Sequence, residues 1–259
     1  MLKFLSPPLS AALLAALVLS LAQVLWVSPL ILQAETYETA GATPEPVAST
    51  ATEEAAHQDA TVGHDHGTHD HGDAAAEHHH DESEWAPEDG WQRHVSTFSA
   101  NLLMAVGYAL VLCGLYVWRA PSGWGAGLLW GAAGYTAFFL APALGLAPEL
   151  PGTLAADLEL RQGWWLLTAV CTGAGLAVLA WARPLLKLAA LPLLAIPHVV
   201  GAPHPEHSFA LAPEALTEHF IVATALVNVL FWLVLGAISA QLFARARRQD
   251  EVALPGVAV

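Results

Sequence analysis

Charged side chains are scarce in this sequence of 259 residues. Asp, Glu, Lys and Arg make up 12% of the chain, hydrophobic residues make up 55%, and the mean hydropathy is positive. Soluble globular domains carry about 25% charged residues. The composition therefore excludes an ordinary soluble domain and indicates a membrane protein.

Cysteine and catalytic signatures are scarce as well. The two cysteines, Cys113 and Cys171, lie in apolar runs without CxxC spacing, which favours buried thiols over a disulfide. The chain has no HExxH, no G-x-S-x-G and no nucleotide-binding G-x-x-x-x-G-K-[ST]. We therefore predict that it is not an enzyme and that it does not drive transport by hydrolysing ATP itself.

The sequence is rich in long apolar runs. A membrane-spanning helix needs about 20 apolar residues, and this predicts an all-α integral membrane protein, a polytopic bundle of five to six transmembrane helices. We expect a first helix over 1–32, uncleaved although a signal peptide is the alternative, and a bundle over 96–244 followed by a cytoplasmic tail, 245–259. Its spans are expected at about 96–118, 124–146, 163–181 and 215–244, with a broken helix at 185–202, which either crosses or re-enters.

Small residues recur at every fourth position in four of these runs. This spacing lets helix backbones approach closely in lipid, and we expect it to serve packing within the bundle, with contact to a partner helix as the alternative. The sets are Ala12, Ala16 and Ser20; Gly123, Gly127 and Gly131; Ala169, Gly173 and Ala177; and Gly236, Ala240 and Ala244.

The few charges are distributed unevenly. With the N-terminus inside and six spans, seven of the nine Lys and Arg residues fall on the inner side, and only Arg93 and Arg161 fall outside. This fits the positive-inside rule and favours a true crossing by 185–202. All acids except Asp250 and Glu251 fall outside, which predicts a multi-pass membrane protein with its N-terminus inside.

Residues 33–95 are expected to form an acidic, disordered outer loop with a histidine-rich tract. Neutral imidazole with carboxylate suits Co, Ni, Zn or Cu(II). We predict metal capture by His64, His66, His69, His71, His78, His79 and His80.

A second group of ionisable residues lies near the expected outer mouth. His198, His204 and His207 occur within one short segment, and we predict them as further metal ligands, with a satisfied histidine at the membrane surface as the alternative for His198. Four acids on the same side are candidates for the pathway, with a solvated loop charge as the alternative for each: Glu35, Glu149, Asp157 and Glu159.

Several segments together resemble one family. They are Leu25–Glu35, Trp85–Arg93, Ala141–Gly152, Asp157–Trp165, Pro197–Pro203 and Asn228–Trp232. The chain is similar over nearly its whole length to the CbtA family, predicted cobalt transporter subunits of bacteria. The resemblance implies cobalt uptake at the inner membrane, a link to cobalamin synthesis, about five spans, and a small histidine-containing membrane partner, CbtB.

The sequence thus predicts a transporter subunit for uptake of a divalent transition metal. Co²⁺ is the expected substrate, with Ni²⁺ or Zn²⁺ possible in its place, and no permanently bound cofactor is expected. The expected partners are membrane lipid and a CbtB-like subunit, and no nucleic acid. The alternative is a membrane-anchored sensor or chaperone that hands metal to a partner without transporting it.

Overall fold

The fold is a bundle of helices. The computed structural model describes residues 2–42, 87 and 90–253, and no strand occurs among these residues. A π-helical segment (Gln23–Val27) joins α1 to α2, a second (Thr136–Leu140) joins α4 to α5, and a 3-10 helix (Pro184–Ala189) leads into α7. The helices are α1 (Leu2–Ala22), α2 (Ser28–Ala42), α3 (Trp91–Trp118), α4 (Trp124–Tyr135), α5 (Ala141–Ala143), α6 (Leu158–Trp181), α7 (Ala190–Val200) and α8 (Glu214–Ala253).

Five continuous helical stretches in the described part are long and apolar enough to cross a membrane. This confirms the expected polytopic helical bundle. A shorter apolar stretch, Pro184–Val200, stands between the last two of them. The five are Ser6–Ala40, Trp91–Trp118, Trp124–Ala143, Leu158–Trp181 and Glu214–Gln249.

Most helices extend further than hydropathy indicates, because polar residues prolong them beyond the apolar part. The first helix continues through α2 to Ala42 instead of ending at residue 32, and α8 continues to Ala253 through the expected tail. α6 begins at Leu158, not 163, because the Asp157 side chain caps it. α3 begins at Trp91, after Gly90 at a φ of 96°. The third span is shorter than expected and ends at Ala143.

The tightest helix contact joins α4 to α8 through glycines. A Cβ atom on Gly236 would lie 2.6 Å from the Gly131 Cα, and one on Gly127 would lie 2.8 Å from the Ala240 Cβ. Because only glycine leaves room for this approach, the small-residue spacing of both helices serves packing within the chain. Ala12 and Ala16 of α1 are likewise fully buried in the core.

Side-chain hydrogen bonds link α3 to its neighbouring helices at two positions along its length. The Asn101 side chain of α3 donates to the Ser20 hydroxyl (3.0 Å) and to the Gln23 side-chain oxygen (2.5 Å) beside the first π-helical segment. The Tyr116 and Ser239 hydroxyls are 3.0 Å apart in the core. Asn101 therefore bonds between helices, whereas the Asn228 side chain donates to the Thr224 carbonyl within α8.

The shorter apolar stretch, Pro184–Val200, forms a helical hairpin with α6. The Trp164 indole N–H donates to the Pro197 carbonyl at 3.0 Å, and further along, a Cβ on Gly175 would lie 2.9 Å from Leu194. Because residue numbers rise along α7 as they fall along α6, the two helices are antiparallel. The stretch 184–200 thus leads from the end of α6 back towards its beginning.

The two ends of the bundle carry opposite charge. Tyr108 contacts Phe231 and Tyr116 bonds Ser239, so α3 and α8 run parallel, and Trp118 contacts Trp181 where α3 and α6 both end. We call one end the basic end, with Arg119, Arg183, Lys187, Arg245, Arg247 and Arg248. The other is the acidic end, with Glu35, Glu149, Asp157, Glu159, Glu206, Glu214 and Glu218.

Candidate functional site

Two loops are joined at the acidic end. The Leu154 N–H donates to the Phe209 carbonyl at 2.9 Å, and the Leu211 N–H donates to the Gly152 carbonyl at 3.2 Å. Gly152 has a φ of 75°, a backbone conformation that favours glycine. These bonds bring the connection between α5 and α6 together with the connection between α7 and α8.

Glu35 is the first predicted pathway acid at this end, and it is paired. Arg93 at the start of α3 makes two hydrogen bonds to its carboxylate, one of them 3.1 Å long between Nη1 and Oε2. Each side chain is 32% exposed. The two-point geometry matches the planar guanidinium to the carboxylate and joins the end of the first membrane-spanning helix to α3.

Glu149 repeats this arrangement. Its carboxylate accepts a hydrogen bond from Arg161 of α6 at 3.1 Å, and both side chains are again about one-third exposed. Each pair joins an acid near the end of one membrane-spanning stretch (Glu35) or after it (Glu149) to an arginine at the start of the next. Arg93 and Arg161 are also the two basic residues that the charge distribution places on the outer side.

Asp157 and Glu159 have different surroundings. The Asp157 carboxylate accepts the backbone N–H of Leu160 at 3.0 Å and thereby caps α6. Such a cap stabilises a helix by about 1 kcal/mol. Glu159 is exposed in the first turn of α6, where a negative charge is favourable to the helix dipole.

The three histidines that are predicted as further metal ligands, His198, His204 and His207, are exposed. His198 lies in α7 with its ring 6.1 Å from that of Trp164, edge to face, and His204 and His207 lie in the connection to α8. Sequence proximity does not bring them together: within the described ranges, no three His, Cys, Asp or Glu side chains are grouped so that they hold a metal ion.

The histidines of the acidic loop lie outside the described residues: His64, His66, His69, His71, His78, His79 and His80. Their predicted role in metal capture stays a prediction. They belong to the segment that connects Ala42 with Trp91, so both of its attachment points are at the acidic end.

A further feature lies between α6 and α7. Thr168 and Thr172 are almost completely buried on the same face of α6 as Trp164 and Gly175, which both contact α7. The Thr168 hydroxyl donates to the Trp164 carbonyl, whereas the Thr172 hydroxyl has no hydrogen-bond partner. A buried hydroxyl without a partner is unfavourable by about 1–3 kcal/mol, and this makes Thr172 a candidate contact for a polar ligand.

Sequence reasoning missed both the arginine partners and Thr172. Arg93 and Arg161 enter the sequence-based prediction only as charges, although an acid near the end of one helix and an arginine in the first turn of the next is a pattern that a sequence displays. Thr172 lies in an apolar run with nothing to set it apart, and its significance depends on the packing of α7.

No curated protein and no solved structure is similar enough to this chain to match it. One family model matches, and its description is a probable cobalt transporter subunit (CbtA). The match covers residues 1–244, which include both ion pairs of the acidic end and all of the bundle except the last part of α8, so the chain belongs to the CbtA family.

Proposed function

We propose that this chain is a subunit that takes up a divalent transition metal across the bacterial inner membrane. Co²⁺ is the first candidate for the cargo, followed by Ni²⁺ and Zn²⁺, with no resident cofactor and no enzymatic step. One observation carries the proposal: in a member of a cobalt transporter family, the described histidines and, apart from Asp250 and Glu251, the described carboxylates lie at one end of a membrane-spanning bundle, and the basic end lies opposite.

The acidic end would face outward and the N-terminus inward. This places the basic end on the cytoplasmic side, as the positive-inside rule requires. An inside-negative potential then favours inward movement by about 2.3 kcal/mol per charge per 100 mV, twice that for a divalent ion. No ATP is needed for a downhill step of this kind.

Metal capture would take place on the acidic loop. Its histidines and carboxylates offer many interchangeable sets of three or four ligands, as a moderate-affinity collector needs. Because imidazole binds metal only when neutral, capture should weaken below about pH 6.

The metal would then reach Glu35 and Glu149. Each carboxylate is held by one arginine in a partly exposed pair, and such pairs contribute only about 0–1 kcal/mol. A divalent cation that displaces the guanidinium therefore has little stability to overcome. The arginines keep the carboxylates in place between transport events.

The path inward would follow the contact between α6 and α7. We propose that the stretch 184–200 is a sixth crossing, because it leads from the end of α6 back to its beginning. Pro197 lies inside α7 and has no N–H to offer the Leu193 carbonyl. At membrane depth, a backbone group without its helical partner is tolerated only where it faces protein or water. The Leu193 carbonyl and the Thr172 hydroxyl would supply oxygen ligands to a partly hydrated cation.

The family's description as a subunit means that the protein works with a partner. We propose that the partner is a small histidine-containing membrane protein of the CbtB type, that membrane lipid surrounds both, and that nucleic acid has no role.

The test is uptake of radioactive cobalt into proteoliposomes, with and without the small subunit, under a potassium diffusion potential of either sign. We expect flux that increases with an inside-negative potential and is absent from protein-free vesicles. Tight metal binding without flux in either preparation would overturn the proposal and favour a membrane-anchored sensor or chaperone.

A further inference from the structure

A large apolar cavity lies between α3, α4 and α6, outside the proposed metal path. Its volume is about 560 Å³, and its lining is almost entirely hydrophobic. α6 contributes small residues here, and Gly173 has no atom within 4 Å of the position of a Cβ. The small-residue spacing of α6 therefore creates space, unlike that of α4 and α8.

The cavity opens towards the surrounding membrane. Residues on its rim, Leu129 of α4 together with Leu166 and Val170 of α6, are more than half exposed. The lining of α6 extends from Leu166 to Trp181, a length of about 22 Å. One leaflet of the hydrocarbon core is about 15 Å thick. An acyl chain that enters from the basic end therefore fits the length of the cavity.

Polar groups mark one end of this cavity. Trp118 and Trp181 line it there, with ring centroids 5.1 Å apart, and the Arg119 guanidinium lies 5.1 Å and 5.7 Å from their rings. Tryptophan and arginine are typical of the level of the lipid headgroups.

The charge around this end is uncompensated. The short connections that hold Arg119 and the pair Arg183 and Lys187 contain no acid, since the sequence has none between Asp89 and Glu149 or between Glu159 and Glu206. Basic pockets between helices on the cytoplasmic side bind anionic phospholipid headgroups. The positive charge thus favours an anionic headgroup, and the apolar cavity favours an acyl chain.

We infer that this cavity is a binding site for one anionic phospholipid. An acyl chain occupies the space between α3, α4 and α6, and the phosphate lies at Arg119 on its two tryptophans. The site goes beyond the proposed function and does not depend on it. In the orientation proposed above, the lipid belongs to the cytoplasmic leaflet.

Two substitutions separate the parts of this site. Gly173→Leu fills the cavity without collision, because no protein atom lies near its Cβ, and it also raises helix propensity. Gly114→Leu is the matched control: it is a similarly open glycine of α3 that does not line the cavity. Arg119→Gln removes the charge at an exposed position and leaves the cavity intact.

The experiment is native mass spectrometry of the full chain, delipidated and then exposed to equal amounts of phosphatidylglycerol and phosphatidylethanolamine. We expect retained phosphatidylglycerol in the unaltered protein and in Gly114→Leu, and none in Gly173→Leu. Arg119→Gln should lower the preference about fivefold, the factor for one basic residue at an anionic surface.

Three outcomes would each overturn the inference. The unaltered protein could retain the two lipids equally, or Arg119→Gln could leave the preference for phosphatidylglycerol unchanged. The third is that a polypeptide, not a lipid, co-purifies with the protein and is released by Gly173→Leu. Because the measurement involves no metal, a failure here is distinct from a failure of cobalt uptake. Arg119→Gln keeps the question answerable if the cavity variant does not fold.

Discussion

Arg93 and Glu35 form a two-point ion pair across 58 residues of sequence, at the point where the first membrane-spanning helix meets α3. The pair neutralises one of the two basic residues on the acidic end, and Glu149 does the same for Arg161. The free positive charge on that end is therefore smaller than the sequence count indicates.

Removing Arg93 should strengthen metal entry. In Arg93→Gln the guanidinium no longer competes for the Glu35 carboxylate, so we expect a lower half-saturating cobalt concentration for uptake. Glu35→Gln should raise that concentration, because it removes the ligand and leaves a positive charge. Both variants should lose at most about 1 kcal/mol of stability, since the pair is partly exposed. Uptake in proteoliposomes as a function of cobalt concentration provides the measurement.

The control for this series is Glu38→Gln, an exposed acid near Glu35 on α2. It changes the net charge of the acidic end as Glu35→Gln does, and we expect it to shift the uptake curve less. Equal shifts in the two variants would show that only the overall field matters and would contradict a role for the Glu35 carboxylate itself.

Thr172→Val should separate stability from transport. Valine replaces a buried hydroxyl that has no partner with a methyl group of similar size, so the melting temperature should stay the same or rise. Uptake should fall, because a proposed oxygen ligand of the passing cation is lost. The measurements are the melting temperature and the rate of cobalt uptake. A loss of uptake without a loss of stability supports a role in transport, and unchanged uptake contradicts it.

Thr224→Val is the matched control for that variant. Thr224 of α8 also has a buried hydroxyl without a partner, but α8 packs mainly against α1, α3 and α4 rather than against α6 or α7. We expect normal uptake. If Thr172→Val transports at the unaltered rate, or if both variants are impaired equally, the path along α6 and α7 is refuted.

Hydropathy was sufficient to predict the helical bundle because each span is decided locally, by about 20 consecutive apolar residues. The ends of the helices were missed because polar residues that continue a helix into water carry no hydropathy signal. Asp157 is an instructive case: it was predicted as a pathway acid, and its carboxylate caps α6. A residue type alone does not distinguish a cap from a metal ligand.

The small-residue patterns show the same limit. Gly127 and Gly131 of α4 and Gly173 of α6 have the same spacing in the sequence, yet the first two contact α8 and the third faces a cavity. Which helix lies opposite is a long-range property that no local pattern contains. The histidines at 198–207 show a related limit, since proximity in sequence along a loop does not group side chains: among the described residues they form no cluster of three possible ligands, and their role in metal binding stays a prediction.

Deleting residues 64–80 should make uptake less efficient without abolishing it. The capture tract raises the local metal concentration, so its loss should raise the half-saturating concentration while the maximal rate stays near that of the full chain. The advantage of the full chain should also disappear below about pH 6, where imidazole is protonated. Deleting residues 43–56, which contain no histidine, provides the control. If the 64–80 deletion alters neither metal binding nor uptake, the capture role is wrong.

Gly236→Ala tests the contact between α4 and α8 on which the bundle depends. Its methyl group would lie 2.6 Å from the Gly131 Cα, and that neighbour is backbone, so the two helices must separate. Overpacking of this kind is unfavourable by about 1–3 kcal/mol, and we expect a lower melting temperature in detergent together with reduced uptake. Gly125→Ala on α4 meets no atom within 4 Å and should be neutral or stabilising, because alanine favours the helix. Equal melting temperatures for the two variants would contradict a close backbone contact at Gly236, and the α4–α8 arrangement would then need a different register.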